Sequence, residues 1–229
     1  MVTLTTDVLV IGGGATGTGV AWDASLRGLD VVLVDRRDLA DGTSGRFHGL
    51  LHSGARYVVK DPIAARECIT ENRILRRVAA DCIEDTGGLF VTTPWDDPGY
   101  ADLFVHACRE TAVDCEEIAV AEALRQEPRL NPEISRAFRV PDASIDVWKT
   151  VWALGQGARQ RGARILPYRA VTEIRRQGDV VTGARLLDAH SGEELEIEAR
   201  VTVNATGPWE AESPAWRGSR GCGCSLAGA

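Results

Sequence analysis

The chain has 229 residues, of which 44% are hydrophobic and 26% are charged, and its formal net charge is −7. These values are typical of a globular protein with one large domain or two small ones, and the acidic balance gives no electrostatic reason to expect nucleic-acid binding. No run of 18 apolar residues is present, so the sequence predicts no transmembrane helix. The first strand is expected to begin close to Met1, which leaves no room for a signal peptide.

The first predicted element is a strand at residues 8–11, whose unbroken apolar run is typical of a parallel strand buried on both faces. It leads into Gly12, Gly14 and Gly17, which fit the pattern G-x-G-x-x-G. The first glycine allows a tight turn, the second lets backbone approach phosphates, and the third lets the next helix lie close to the strand. A second apolar run ends in Asp35, whose carboxylate can accept hydrogen bonds from ribose hydroxyls. This order predicts a βαβ unit that binds a dinucleotide pyrophosphate at a helix N-terminus.

The next segment, residues 43–57, is rich in glycine and carries His52, Arg56 and Tyr57. Its place after the βαβ unit allows these side chains to meet the reactive ring of a dinucleotide, and the combination indicates a flavoenzyme. Two alternatives stay open here. His52 could be a structural histidine, and Arg56 could only pair with Asp61 or with a helix end.

Two arginines follow Asp35 directly, and they raise the question of a 2′-phosphate site for NADP. The carboxylate of Asp35 would repel that phosphate. We therefore interpret Arg36 and Arg37 as solvated surface charge.

The rest of the chain alternates predicted helices and strands. Helices are predicted after Asp61-Pro62 and at residues 101–112, 119–126 and 149–161, with short strands at 89–93 and 165–167. The first of these helices is expected to have arginines and acids on its outer side and an apolar inner face formed by Ile74, Leu75, Val78, Ala79 and Cys82. Residues 168–204 are predicted to form a strand meander with turns at 178–179 and 191–192. Its last strand alternates apolar and polar residues, so Val201 and four other apolar side chains should face a core while Glu196 and its neighbours face water.

Together these segments resemble FAD-dependent glycerol-3-phosphate dehydrogenases, especially the N-terminal part of the catalytic subunits of the bacterial anaerobic enzymes. The resemblance is carried by residues 7–35, 43–57, 65–72, 88–90 and 203–209. It implies an α/β fold, a Rossmann-like FAD-binding domain of the glutathione-reductase-2 or amino-acid-oxidase type, with inserted helices and an antiparallel β-meander. This FAD-binding domain is expected to be partial, at residues 1–209, with part of a substrate-domain insertion at about 88–150.

The resemblance also assigns residues to the cofactor, FAD, position by position. Those expected at the pyrophosphate are Gly12, Gly14, Thr16 and Gly17. Those expected along the ribityl chain and the isoalloxazine ring are Thr43, Ser44, Gly49, Leu50 and His52. Those expected at the adenine and on the far side of FAD are Val171, Ala205, Thr206 and Gly207. Asp35 would hold the adenosine ribose, at a position where the family usually has glutamate.

The activity implied by the resemblance is oxidation of sn-glycerol 3-phosphate to dihydroxyacetone phosphate, with FAD as the hydride acceptor. Arg56 and Tyr57 would bind this substrate, because a guanidinium group suits bidentate recognition of a phosphate. His52 is the candidate catalytic residue, and the general base is not identified. No metal site is predicted.

The partners implied are a quinone or electron-transfer subunits that receive the electrons. The implied location is the cytoplasm, either free or in peripheral contact with the inner face of the cytoplasmic membrane. Two other hypotheses stay open. One is a different FAD-dependent oxidase or dehydrogenase of the same superfamily, acting on an amino acid or a 2-hydroxy acid, and the other is a non-catalytic nucleotide-binding remnant.

The last segment, residues 210–229, has neither helical nor strand periodicity, and the resemblance is expected to stop there. A frameshift, real or introduced in sequencing, is the hypothesis that accounts for it, and it would make Cys222 and Cys224 accidents rather than metal ligands. The other cysteines include Cys68, Cys82 and Cys108, which are interpreted as small buried hydrophobic residues on helices. No C-x-x-C pair occurs, and because no export signal is expected, a reducing cytosolic setting is favoured.

Overall fold

A computed structural model describes residues 2–209. The strands are β1 (Val2–Ile11), β2 (Val31–Val34), β3 (Leu50–Leu51), β4 (Ile83–Glu84), β5 (Gly88–Thr92), β6 (Glu116–Ile118), β7 (Arg136–Val140), β8 (Ala143–Ile145), β9 (Arg164–Leu166), β10 (Arg169–Gln177), β11 (Val180–Asp188) and β12 (Glu194–Asn204). The helices are α1 (Ala15–Leu26), α2 (Pro62–Val78), α3 (Tyr100–Glu110), α4 (Val120–Gln126) and α5 (Val147–Gln160). The predicted frameshifted tail, with Cys222 and Cys224, lies outside the described residues.

The chain divides into two compact units. Among the described residues, the first unit combines residues 2–47 with residues 147–209, and the second unit is His48–Asp146. The substrate-domain insertion that the sequence predicts at about 88–150 stays a prediction, since compactness alone does not assign a role to a unit.

The first unit is built on one six-stranded sheet with the order β10-β11-β12-β1-β2-β9. Strand β1 pairs in parallel with both β2 and β12, and β2 pairs in parallel with β9. The apolar run of β1 and all of β2 are buried, as expected for strands covered on both faces. The parallel strand predicted at residues 8–11 is therefore confirmed.

The last strand, β12, has two different partners. It pairs antiparallel with β11, as the predicted meander requires, and it also runs parallel to β1 along almost its whole length. The expected alternation of faces is wrong at two positions. Glu196 is buried, where an ion pair with Arg175 offsets the loss of hydration, and Val201 is 54% exposed.

Two helices pack on one face of this sheet, and their small residues allow close approach. Ala21 and Ala24 of α1 are buried with Val151 and Ala158 of α5 against alternate residues of the parallel strands. Residues of β1 and β2 that point to the opposite face cluster with side chains of β10, β11 and β12. The carboxyl ends of the parallel strands are thereby fixed from both faces.

The second unit contains two three-stranded antiparallel sheets, β3-β8-β4 and β5-β7-β6. Its main core includes Phe104 and Phe138, whose rings contact each other at a centroid distance of 5.8 Å. Of these strands the sequence predicted only the region of β5. Strands β3, β4, β6 and β8 have two or three residues each and are too short to establish a periodic pattern.

The start of α2 is confirmed, but its predicted apolar face is not. The side chain of Asp61 accepts a hydrogen bond from Ala64 N at 3.0 Å, and proline follows at the first helical position. The buried residues of α2 are Ala65, Ile69 and Asn72, whereas Val78, which was expected to be inward, is 54% exposed. None of the helices within residues 2–209 is long and apolar enough to cross a membrane.

The cysteine interpretation is confirmed for Cys108, which is fully buried on α3. Cys82 is also buried, but in a turn of 3-10 helix that follows α2, and Cys68 is only partly buried. Burial, followed by the charge and hydrogen bond of Cys115, raises the pKa of the Cys108 thiol to about 12. Cys108 is therefore held as the neutral thiol at physiological pH.

We expect Cys108 to resist alkylation in the folded chain. At about pH 8 its thiolate population should be roughly 10³-fold below that of an unperturbed cysteine, because the thiolate is the reactive form. Iodoacetamide labelling with peptide mass mapping measures this, with the same reaction in urea as the control. Equal labelling rates for Cys108 in the folded and the unfolded chain would contradict the structure.

Candidate functional site

The glycine turn between β1 and α1 has no space for side chains at two of its positions. Gly12 has a φ of +113°, and a Cβ atom there would lie 2.3 Å from the carbonyl oxygen of Ala205. A Cβ atom at Gly17 would lie 1.8 Å from the carbonyl oxygen of Gly12. The roles predicted for the first and third glycines, a tight turn and close helix packing, therefore match the geometry.

Gly13 belongs to the same turn, and the glycine pattern does not single it out. Its backbone N–H donates to Oδ2 of Asp35 at 2.6 Å, and Arg37 N donates to Oδ1 at 2.8 Å. Burial raises the pKa of Asp35, while these two hydrogen bonds act in the opposite direction. The Asp35 carboxylate thus ties the end of β2 to the turn.

The N-terminus of α1 is capped by a distant residue. Ser44, in a turn of 3-10 helix at Thr43–Arg46, accepts a hydrogen bond from Ala15 N at 2.9 Å through its Oγ. A Cβ atom at Gly14 would lie 2.9 Å from this oxygen, so the second glycine gives Ser44 access to the helix end. A helix N-terminus that faces a polar turn favours an anionic ligand.

These elements border a cavity of about 910 Å³ in the first unit. Ten of the residues predicted to contact the cofactor line it, and they are Gly12, Gly14, Thr16, Asp35, Thr43, Ser44, Val171, Ala205, Thr206 and Gly207. Gly17, also predicted, is buried beneath the turn and acts through packing. The sequence therefore predicted ten of the 24 residues that line this cavity, and it did not give the cavity's shape.

The sequence missed several cavity residues, and all the missed cations are arginines. Arg36, Arg37, Arg46 and Arg169 line the cavity. The guanidinium carbon of Arg36 lies 4.9 Å from the ring centroid of Trp209, which also lines it. The interpretation of Arg36 and Arg37 as merely solvated charge is thus incomplete, since both are exposed yet border the cavity.

The other predicted site residues, Gly49, Leu50, His52, Arg56 and Tyr57, belong to the second unit. His52 lies with its Nδ1 3.4 Å from Oδ2 of Asp142, and its ring contacts that of His48 at 5.0 Å between centroids. The same carboxylate accepts a 2.7 Å hydrogen bond from Ser53 N. No sequence pattern indicated Asp142, because it lies 90 positions away from His52 along the chain.

Arg56 and Tyr57 lie in a short turn of 3-10 helix that a glycine makes possible. Gly54 has a φ of +90°, and a Cβ atom there would lie 2.5 Å from the carbonyl oxygen of Ala65. Both side chains are exposed, and within residues 2–209 no hydrogen bond or ion pair is found for Arg56. The alternative in which Arg56 pairs with Asp61 is not observed, since Asp61 caps α2.

The chemistry of the cavity fits a dinucleotide. Its backbone turn excludes side chains, its helix N-terminus can face phosphates, and its carboxylate lies at the end of β2. No group of three or more His, Cys, Asp or Glu side chains suited to a metal ion is found within the part of the chain that the structure describes.

Comparison with known proteins identifies a matching family and similar relatives. The family model described as "FAD dependent oxidoreductase" matches residues 7–222. One subunit of the anaerobic glycerol-3-phosphate dehydrogenase of Escherichia coli is 47% identical over 203 residues, which are 89% of this chain and 38% of that protein. The corresponding protein of Haloferax volcanii is 46% identical over 211 residues, 88% of this chain and 36% of that protein. The chain therefore spans less than two fifths of the length of these relatives.

Solved structures with the same fold are found as well. The L-proline dehydrogenase of P. horikoshii has a TM-score of 0.79 at 22% identity, and the match covers 94% of this chain and 56% of that one. The glycerol-3-phosphate dehydrogenase of Bacillus halodurans, complexed with FAD, has a TM-score of 0.68 at 25% identity, with 91% and 35% covered respectively. The predicted fold class and the predicted resemblance are both confirmed by these matches.

Proposed function

Because this chain belongs to the FAD dependent oxidoreductase family, we propose that it binds FAD in the cavity of its first unit and serves the oxidation of sn-glycerol 3-phosphate to dihydroxyacetone phosphate. The family confirms FAD as the cofactor. The observation that carries the proposed site is the side-chain-free turn from Gly12 to Gly17, which borders a cavity lined by ten predicted residues.

Within this cavity the pyrophosphate is assigned to the turn and to the N-terminus of α1. Gly12, Gly14 and Thr16 line the cavity there, and the helix end favours the negative charge of the phosphates. The adenosine ribose is assigned to Asp35. Since both oxygens of this carboxylate already accept backbone hydrogen bonds, each would use its second lone pair for a ribose hydroxyl.

The substrate is assigned by two arguments. Relatives 44–47% identical to this chain are named as subunits of anaerobic glycerol-3-phosphate dehydrogenases. Arg56 is exposed on a turn fixed by Gly54, with no internal partner among the described residues, and its five N–H donors suit a phosphate dianion. His52, Gly49 and Leu50 are proposed for the flavin ring and the reacting end of the substrate.

The reaction removes two electrons and two hydrogens from the substrate. FAD held in this cavity would supply the acceptor for the C2 hydrogen and its electron pair, and the proton of the C2 hydroxyl would pass to a base. Binding the phosphate away from C2 lets the protein use that binding energy to orient the reacting C–H bond. The chain's own contribution is therefore to orient the substrate and to handle the proton.

The electron acceptor and the cellular location extend the proposal. The relatives are named as subunits, which supports transfer of electrons from the reduced cofactor to another polypeptide of the same enzyme. A quinone is the other acceptor that we propose. We assign this transfer to the cytoplasm, either in the free enzyme or in peripheral contact with the inner face of the cytoplasmic membrane. Membrane fractionation with and without the other polypeptides tests this assignment, and reduced protein that never transfers electrons to a quinone analogue would contradict it.

Two measurements, made one after the other, test the proposal. The purified chain, mixed with FAD, should show the absorbance of a bound flavin and quench its fluorescence. A chimera in which residues 1–209 replace the matching segment of the Escherichia coli relative should then be titrated anaerobically with sn-glycerol 3-phosphate. Bleaching of the flavin band by this substrate is the expected result. Bleaching only by amino acids or 2-hydroxy acids would favour the alternative oxidase, and a colourless protein that refuses FAD would favour the nucleotide-binding remnant.

A further inference from the structure

Asp142 is a buried carboxylate in the second unit that the proposed function does not yet use. The residue is 8% exposed, and its two oxygens have different partners. Oδ1 accepts the backbone N–H of Ser53 at 2.7 Å, and Oδ2 lies 3.4 Å from Nδ1 of His52. Both partners belong to the glycine-rich segment, so one carboxylate fixes both the backbone and a side chain of that segment.

The space for Asp142 is provided by the glycine opposite it. A Cβ atom at Gly88 would lie 2.9 Å from Cβ of Asp142 and 3.2 Å from its carboxylate carbon. Any larger residue at position 88 would have to displace the acid or its loop. The carboxylate is thus held in a fitted space rather than on a free surface.

Asn72 holds the two backbone segments that carry His52 and Asp142. It is 1% exposed, and its amide nitrogen donates to the carbonyl oxygens of Leu51, His52 and Pro141 at 3.2–3.4 Å. Because these carbonyls come from both segments, a single buried amide fixes the spacing between them.

Arg76 lies one helical turn further along α2 and also holds these two backbone segments together. Its Nε donates to Oδ1 of Asn72 at 2.8 Å, and one terminal nitrogen donates to the carbonyl oxygens of Pro141 and Asp142. The guanidinium group contacts the backbone oxygen of Asp142, so His52 is left as the side-chain partner of the carboxylate. The contacts of Asn72 and Arg76 therefore fix the position at which the His52 imidazole meets the Asp142 carboxylate.

The hydrogen-bonding capacity of the two groups determines the position of the imidazole proton. An ionised carboxylate can only accept hydrogen bonds, so the ring nitrogen that faces it has to carry the hydrogen. In a neutral imidazole that leaves the other nitrogen, Nε2, as an acceptor. No partner for Nε2 of His52 is found among the described residues, and the side chain is 29% exposed.

We propose that Asp142 is a positioning residue that holds His52 with Nδ1 protonated, leaving Nε2 to accept a hydrogen bond from the substrate hydroxyl. The substrate part of this inference rests on the proposed function, whereas the state of the imidazole does not. Asp142 acts through His52 and contacts neither substrate nor cofactor in this role.

The state of the imidazole can be measured directly. In the ¹⁵N-histidine-labelled 229-residue chain with FAD, two-bond ¹⁵N–¹H correlation spectra at about pH 8.5 distinguish the two neutral tautomers, because only the protonated nitrogen has the pyrrole-like shift. The proposed role of Asp142 predicts the Nδ1–H form for His52. The His52 signal is identified as the one that is missing from the spectrum of His52→Gln. A His52 signal in the Nε2–H form in the unmodified chain would overturn the proposal without any further variant.

The variant Asp142→Asn provides a second, independent test of the proposal. The amide can still accept the hydrogen bond of Ser53 N, but the NH₂ group would then face Nδ1, which should shift His52 towards the Nε2–H tautomer. The control is Asp114→Asn, which removes the same charge from an exposed ion pair with Arg73 in the same unit. An unchanged tautomer in folded Asp142→Asn would refute the positioning role, and if the variant does not fold, the result from the unmodified chain decides.

In the chimera, Asp142→Asn should slow flavin reduction by sn-glycerol 3-phosphate about 10- to 100-fold, as losses of supporting hydrogen bonds do elsewhere, with little change in KM. A rise in KM alone would contradict the role in positioning His52. If the parent chimera is not reduced by this substrate, the proposed function fails, while the tautomer measurement still decides the state of His52.

Discussion

Gly17→Ala is expected to weaken FAD binding about 100-fold. The added Cβ atom would lie 1.8 Å from the carbonyl oxygen of Gly12, so either α1 or the glycine turn has to move. Overpacking of this kind costs about 3 kcal/mol, which corresponds to roughly a 100-fold loss of affinity when the displaced element forms the binding site. Flavin fluorescence quenching measures the affinity, and urea unfolding followed by circular dichroism measures the stability.

Gly19→Ala is the matched control for this variant. Gly19 lies in the same helix two positions further on, and a Cβ atom there meets nothing within 4 Å. Alanine should stabilise the helix by about 0.5–1 kcal/mol and leave FAD affinity unchanged. If both variants bound FAD equally well, the assignment of the turn to the pyrophosphate would have to be abandoned.

Arg56→Ala is expected to raise the KM for sn-glycerol 3-phosphate about 100-fold in the chimera while FAD affinity stays the same. Charge-assisted hydrogen bonds to a phosphate contribute roughly 1.5–3 kcal/mol in total, because the guanidinium group recognises two oxygens at once. Since Arg56 makes no ion pair or hydrogen bond within residues 2–209, its removal should cost little stability. Steady-state kinetics with an artificial electron acceptor measure the KM.

The control for Arg56→Ala is Lys60→Ala, which removes an exposed cation four positions along the same segment. It should change the KM by less than about threefold, because an isolated surface charge contributes little to binding. Any oxidation of unphosphorylated glycerol by the chimera should be insensitive to Arg56. An equal loss with glycerol and with its phosphate would show that Arg56 supports the fold or the cofactor rather than the phosphate.

The glycine turn and the carboxylate that border the cavity of the first unit were predictable from the sequence, because they depend on local backbone geometry. Gly12 needs a φ of +113° and Gly17 lies against the carbonyl oxygen of Gly12, and a local pattern of glycines reports such requirements. The end of β2 at Asp35 follows from a continuous apolar run in the same way. Local rules of this kind do not depend on where distant segments lie.

The remaining features depend on pairs that are far apart in the chain. Asp142 contacts His52 across 90 positions, and neither residue lies in a pattern that would indicate the other. The burial of Glu196 likewise depends on Arg175 of another strand, so alternation within β12 alone gave the wrong face. The sequence interpretation of Arg36 used only the charge of its neighbour Asp35. In the structure the guanidinium group of Arg36 lies over the ring of Trp209, which is far away in the sequence.

The pairing of β12 with both β1 and β11 has a consequence for biosynthesis. The first strand leaves the ribosome early, yet its parallel partner is made only after the whole second unit has been translated. At ordinary translation rates β1 therefore waits on the order of ten seconds with one edge unpaired and its apolar side chains accessible. Nascent chains of this protein should consequently depend on chaperones that shield strand edges, and they should be most prone to aggregate when translation stalls before residue 194.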